Sequence, residues 1–185
     1  NTGLRLFISY SHEDEEPYIK EFKKHITPMI REGIIKEWYD RYIPPGVDFE
    51  KEIEKNLISS DIFCLLISAS YLSSSSCQSE KNKALQLKMS RNCLVIPIII
   101  EQCGWKDDKE ITSLLALPKD GKPISSFKRR DEAWYNIYNN LKKIIIREIR
   151  IREMQLSSET KSFLKSAEMI TRSHPHKQDI ILDDI

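Results

Sequence analysis

From Ile62 through Phe63, Cys64, Leu65 and Leu66 to Ile67 the chain is apolar without interruption or alternation, and a polar Ser68 follows. A strand with one wet face alternates, because successive side chains point to opposite sides. A continuous run belongs to a strand covered on both faces, which is the habit of parallel sheets sandwiched between helices. Three more segments fit beside it: Leu4–Tyr10, Ile34–Tyr39, and Cys93–Ile100, whose Pro97 points to a strand end or an edge. Lys122-Pro123-Ile124 is a weaker fifth strand.

Helical spacing fills the intervals. Ile19, Phe22, Ile26 and Ile30 make a helix from Pro17 to about Arg31, with Pro28 set to kink or shorten its last turn. Asp48 caps a helix whose apolar face is Phe49, Ile53 and Leu57. The serine run Ser68–Ser76 reads as a loop, and the helix after it continues to about Arg91. A short helix lies near Ile111 to Leu117. A long one, capped by Asp131, carries Trp134, Ile137, Leu141, Ile144 and Ile145 to about Met154. Strand and helix thus alternate five times, which predicts an α/β fold with an open parallel sheet wrapped on both faces. In such sheets ligands bind beyond the carboxyl ends of the strands.

Composition removes several classes of function. Lys and Arg number 29 against 28 Asp and Glu, so no polyanion partner or membrane surface is implied, and nucleic acid is not an expected ligand. The longest apolar run, Leu94–Ile100, is broken by Pro97 and far shorter than the roughly 20 residues that span a bilayer. The opening Asn1-Thr2-Gly3 lacks the regions of a signal peptide, so the expectation is a soluble, cytoplasmic protein. Cys64, Cys77, Cys93 and Cys103 form no C-x-x-C pair and read as reduced core residues. The four histidines have no ligand-like spacing to them, so no metal is expected. Asp14, Glu15 and Glu16 read as a solvated helix start. No glycine-rich phosphate loop and no G-x-S-x-G elbow is present.

One carboxylate is out of place. On an ideal helix Cys77, Glu80, Ala84 and Leu87 share a stripe that should face the core. Glu is seldom buried without a partner, yet Glu80 lies about one turn inside its helix. It either complements the helix dipole or stands as an acid at the mouth of a cleft. The strand-end rule favours the cleft, because the serine run that leads into this helix follows a strand.

Four motifs in order around these strands carry a resemblance. They are Phe7-Ile8-Ser9-Tyr10-Ser11-His12-Glu13-Asp14; Trp38-x-Asp40 with Pro45-Gly46; Ile67-Ser68-x-Ser70-Tyr71-Leu72; and Cys77-x-x-Glu80. Together with Pro123-Ile124 and Asp131-Glu132-Ala133-Trp134, they resemble the Toll/interleukin-1 receptor (TIR) domain family in its bacterial, NAD-cleaving style, over residues 4–153. The resemblance implies a flavodoxin-like, three-layer fold with a five-stranded parallel sheet. It implies either NAD+ cleavage at the nicotinamide–ribose bond or homotypic scaffolding. NAD+ would be substrate rather than cofactor, and other TIR domains would be partners through self-association. Glu80 would be the catalytic residue. Phe7, Ser9, Tyr10, Ser11, His12, Asp40, Gly46, Tyr71, Ser76 and Cys77 would surround the substrate. Many bacterial relatives carry Trp where this chain has Ser76, so stacking on a ring would fall to Tyr10, Trp38 or Tyr71. A response regulator, the remaining α/β alternative, would need a phosphoacceptor aspartate at a central strand end, where Ser68 stands instead.

Residues 154–185 read as a helical linker and the start of a following module: Ser157-Ser158-Glu159 restarts a helix, Ser173-His174-Pro175-His176 breaks it, and Ile180-Ile181-Leu182 opens something new. The resemblance then implies an N-terminal effector module of a larger protein in antiphage defence or cell-suicide signalling.

Overall fold

A computed structural model of the chain describes residues 3–39 and 48–173. Strands β1 (Leu4–Ser9), β2 (Ile35–Tyr39), β3 (Ile62–Ile67) and β4 (Leu94–Ile99) form one parallel sheet in the order β2-β1-β3-β4. Every residue of β3 is buried, as its unbroken apolar run requires. The chain first steps from β1 outward to β2, then returns to the other side of β1 to lay down β3 and β4. The order therefore reverses between β1 and β3, and the loops leaving those two strands part in opposite directions. That gap is where an open α/β sheet receives its ligand.

Four strands, not five, are formed among the described residues. The Lys122-Pro123-Ile124 segment is a short 3-10 turn over Ile124–Ser126, tied to the sheet by Ser125 N–H donating to Ile100 O at 3.0 Å. Pro123 inside this stretch brings no N–H, and Asp120 and Gly121 just ahead of it have φ of 68° and 65°, which turns the chain where a strand would have to start. The outer edge of β4 is met instead by a single bridge at Leu117, whose O accepts from Ile99 N–H at 2.7 Å. The nitrogen of Pro97, two residues back, faces that same outer edge, so its missing N–H interrupts nothing between β3 and β4.

The first helix also starts later than its pattern predicts. A 3-10 turn over His12–Asp14 and an irregular turn over Glu15–Ile19 precede α1 (Lys20–Arg31), because Glu16, the residue before Pro17, is extended at φ −111°, ψ 129°. Helix α1 runs through Pro28 and stops before Gly33, whose φ is 72°. Helix α2 (Phe49–Ser59) is capped by Asp48 as its sequence predicts. The serine run is not a loop. Ser68 caps a short α3 (Ala69–Ser73), and Ser74 caps α4 (Ser75–Arg91). A four-residue α5 (Lys109–Thr112) replaces the longer helix predicted near Ile111.

The two faces of the sheet are covered by different helices. Phe7, Phe63, Leu65 and Ile67 share a buried cluster with Leu57 of α2, Tyr71 of α3, and Cys77, Ala84 and Leu87 of α4. On α1, Phe22 packs on Trp134 with ring centroids 5.7 Å apart, and Glu21 accepts from both Trp134 Nε1 (2.6 Å) and Arg130 Nη2 (2.9 Å). Trp134 opens α6 (Arg130–Ser173), which contains no Gly or Pro and so passes through Ser157-Ser158 without the restart read from the sequence. Asn1–Ile146 forms one compact unit and Arg147–Ile185 another. The His174–Ile185 reading lies outside the described residues.

Candidate functional site

The last residue of β1 and the first after β3 are both serines, and both reach across the gap where the strand order reverses. Ser9 Oγ donates to Glu80 Oε2 at 2.5 Å and lies 3.1 Å from the Tyr71 hydroxyl. Ser68 Oγ donates to Asp14 Oδ2 at 2.6 Å while accepting from Tyr71 N–H at 2.9 Å. Glu80 is only 4% exposed, and the stripe predicted for its helix is buried throughout. Glu80 therefore faces the core with that stripe and not the outer surface of the helix. Its side chain points back across the turn at the carboxyl ends of the strands.

Helix α4 is fixed on its other flank as well. Lys81, next in sequence and also 4% exposed, pairs at 2.8 Å with both Asp108 and Glu110. Burial opposes its charge, but these two partners outweigh burial and hold the ammonium above its ordinary pKa. For Asp108 burial again opposes, and Lys81 together with the N–H groups of Ile111 and Glu110 keeps the carboxyl below its ordinary value.

Glu80 forms part of the wall of a cleft of about 530 Å³ between α2 and α4, with Ile53, Glu54 and Leu57 on one side and Ser75, Ser76, Ser79 and Lys83 on the other. Lys83 approaches Glu54 across it at 3.9 Å. Of the residues the sequence put around a substrate, Ser76 lines this cleft and is exposed. Tyr10 and Ser11 are buried and His12 exposed on the loop after β1, where the Tyr10 ring meets His12 edge-on at 6.2 Å and Lys23 Nζ at 5.6 Å. Phe7, Tyr71 and Cys77 are fully enclosed and belong to the cluster behind the carboxylate. Full enclosure leaves them no surface against a ligand, so Tyr71 is no stacking platform. Asp40 and Gly46 lie outside the described residues, and so does the tip of the loop they bracket.

Asp14 corrects the reading of its acidic run as solvated. It is 4% exposed, and burial pushes its carboxyl up, with the Ser68 hydroxyl opposing and Glu101 and Glu13 reinforcing. Glu13 accepts from Ser70 Oγ at 2.6 Å, so two successive acids hold the first loop to two serines of the third. Nothing local in the sequence marks this clasp. The cleft residues Glu54 and Lys83 were equally hidden, although Lys83 follows Ser76 and Ser79 along one face of α4. Among the described residues no group of three or more His, Cys, Asp or Glu is arranged to hold a metal ion, and no helix is long and apolar enough to cross a membrane.

The family model of the TIR domain matches residues 6–143. The chain belongs to the TIR domain family. The matched span runs from β1 into α6 and includes the Ser9–Glu80 contact. Over 133 residues, 71% of its length, this TIR chain is 35% identical to the uncharacterized protein y4lF of Sinorhizobium fredii. It spans 41% of that relative. Among solved structures, the TIR domains in the activated Roq1 resistosome that directly recognizes the pathogen effector XopQ superpose with a TM-score of 0.56 at 16% identity, covering 75% of this chain and 99% of that one. The TIR domain of the Toll-related receptor TRR-2 from Hydra magnipapillata gives 0.47 at 20% identity, covering 74% and 97%.

Proposed function

We propose that this TIR domain cleaves NAD+ between nicotinamide and ribose, releasing nicotinamide and ADP-ribose or a cyclic ADP-ribose. The observation that carries the reading is Glu80, a carboxylate buried where the strand order reverses, held by Ser9 at 2.5 Å, in the wall of a cleft. Breaking an N-glycosidic bond builds positive charge on the ribose as the base departs. A fixed anion in a site with little water stabilises that charge. Nicotinamide is cationic while attached and neutral once released, so its departure needs no proton from a second carboxylic acid. Water, or the adenine end of the same molecule, then takes the vacated ribose carbon.

The same reading places catalysis in a cytoplasmic assembly of TIR units serving defence or cell suicide. The TIR domains of Roq1 come from an activated resistosome, which supports assembly. A second reading, a non-catalytic scaffold that recruits other TIR domains, is favoured by one observation: the described lining of the cleft contains no aromatic side chain to stack on a base. Incubating the purified chain with NAD+ at high protein concentration separates the two. Release of nicotinamide is expected, and none at any concentration, including after fusion to an oligomerising tag, would leave the scaffold.

A further inference from the structure

We infer that Ser9 and Tyr71 are positioning residues for Glu80, joined to it in a hydrogen-bonded chain that runs from phenol to hydroxyl to carboxylate. The inference rests on the reading of Glu80 just given and deepens it.

Counting protons fixes the direction of the chain. Ser9 has one hydroxyl proton, and at 2.5 Å from an acceptor oxygen that proton belongs to Glu80 Oε2. Ser9 Oγ can then only accept from the Tyr71 hydroxyl, 3.1 Å away. Tyr71 in turn shares its proton with Cys77 O at the longer distance of 3.4 Å. Each donor polarises the next, and the last of them fixes where the Glu80 oxygen sits.

Three elements meet at this one oxygen, and each is held by its own backbone. Ser9 is paired with Leu65 in the sheet, Tyr71 is fixed by the Ser68 cap of α3, and Glu80 rides on α4 behind the Ser74 cap. Ser9 is 1% exposed and Tyr71 0%, so neither can reach a ligand. Their hydroxyls act on catalysis only through where they hold Glu80. A misplacement of an ångström at a reacting group can cost orders of magnitude in rate.

Ser9→Ala, Tyr71→Phe and the double variant test this in two ways. In steady-state NAD+ cleavage, Ser9→Ala should lower kcat about 10–100-fold, as losing an orienting partner typically does, with KM nearly unchanged. Tyr71→Phe should lower kcat less. The double variant should be no slower than Ser9→Ala alone, since Tyr71 works through Ser9, and Ser9→Thr should recover most of the rate. In urea unfolding, the midpoint shifts of Ser9→Ala and Glu80→Ala, each of which removes the contact, should fail to sum to the shift of the pair, as for groups in contact. Multiplying rate losses, or a loss seen in KM alone, would overturn the positioning role even if the unfolding shifts couple. Additive unfolding shifts would overturn the hydrogen-bonded chain whatever the kinetics. A parent chain that releases no nicotinamide would refute the proposed activity and the catalytic role of the chain together, while the unfolding cycle would still decide whether the contact exists.

Discussion

Asp14 illustrates a residue whose surroundings work against its charge. Burial disfavours its anion first, Ser68 compensates in part, and Glu101 and Glu13 add repulsion. The folded chain therefore binds this proton more tightly than the unfolded chain does. By linkage, the contribution of Asp14 to stability is most favourable while the acid is protonated, and it declines as pH rises from the ordinary aspartate value through the raised folded one. Asp14→Asn keeps an acceptor for Ser68 and removes the charge. Its urea midpoint at neutral pH should lie above the parent's, and the two should converge in acid. Equal midpoints at neutral pH with the same pH slope would show that the carboxylate is not strained by its site.

At the scale of elements, α3 and α4 depend on two serine caps that look alike and do different work. Ser74 Oγ accepts from Cys77 N–H at 3.3 Å and has no role across the sheet, so Ser74→Ala should cost about 1 kcal/mol. Ser68 caps α3 and also gives its proton to buried Asp14, so Ser68→Ala loses the cap and leaves a buried acceptor without that donor, which adds about 1–3 kcal/mol. Urea unfolding should rank Ser68→Ala well below Ser74→Ala. Equal losses would mean that the Asp14 clasp contributes nothing. These elements also mark how far the sequence was legible. The buried stripe Cys77, Glu80, Ala84, Leu87 and the apolar run of β3 could be read directly, because each obeys one local period. Helix α3 could not, since its serines suit a loop as well as a cap, and only the Asp14 contact 54 residues away decides the matter. The fifth strand fails for a local reason: Pro123 inside the segment brings no N–H to a ladder, and Asp120 and Gly121 just before it turn the chain with positive φ. Glu80 was found through its misfit with the stripe, whereas Glu54 and Lys83 fit ordinary helix surfaces and became site residues only once α2 and α4 were set side by side.

In the whole molecule, the TIR fold sets a buried carboxylate in the wall of a cleft. If a neighbouring unit completes the cleft, turnover per molecule should rise with protein concentration and with fusion to an oligomerising tag. Constant turnover over a hundredfold dilution of a confirmed monomer would show that one chain builds the whole site. The proposed reaction, however, depends most directly on the charge of Glu80. Glu80→Gln retains the shape and an acceptor for Ser9 and deletes the anion, so nicotinamide release should fall at least about 100-fold, or roughly 2.7 kcal/mol of transition-state stabilisation, while cooperative unfolding is preserved. A folded Glu80→Gln chain that releases nicotinamide at the parent rate would contradict it.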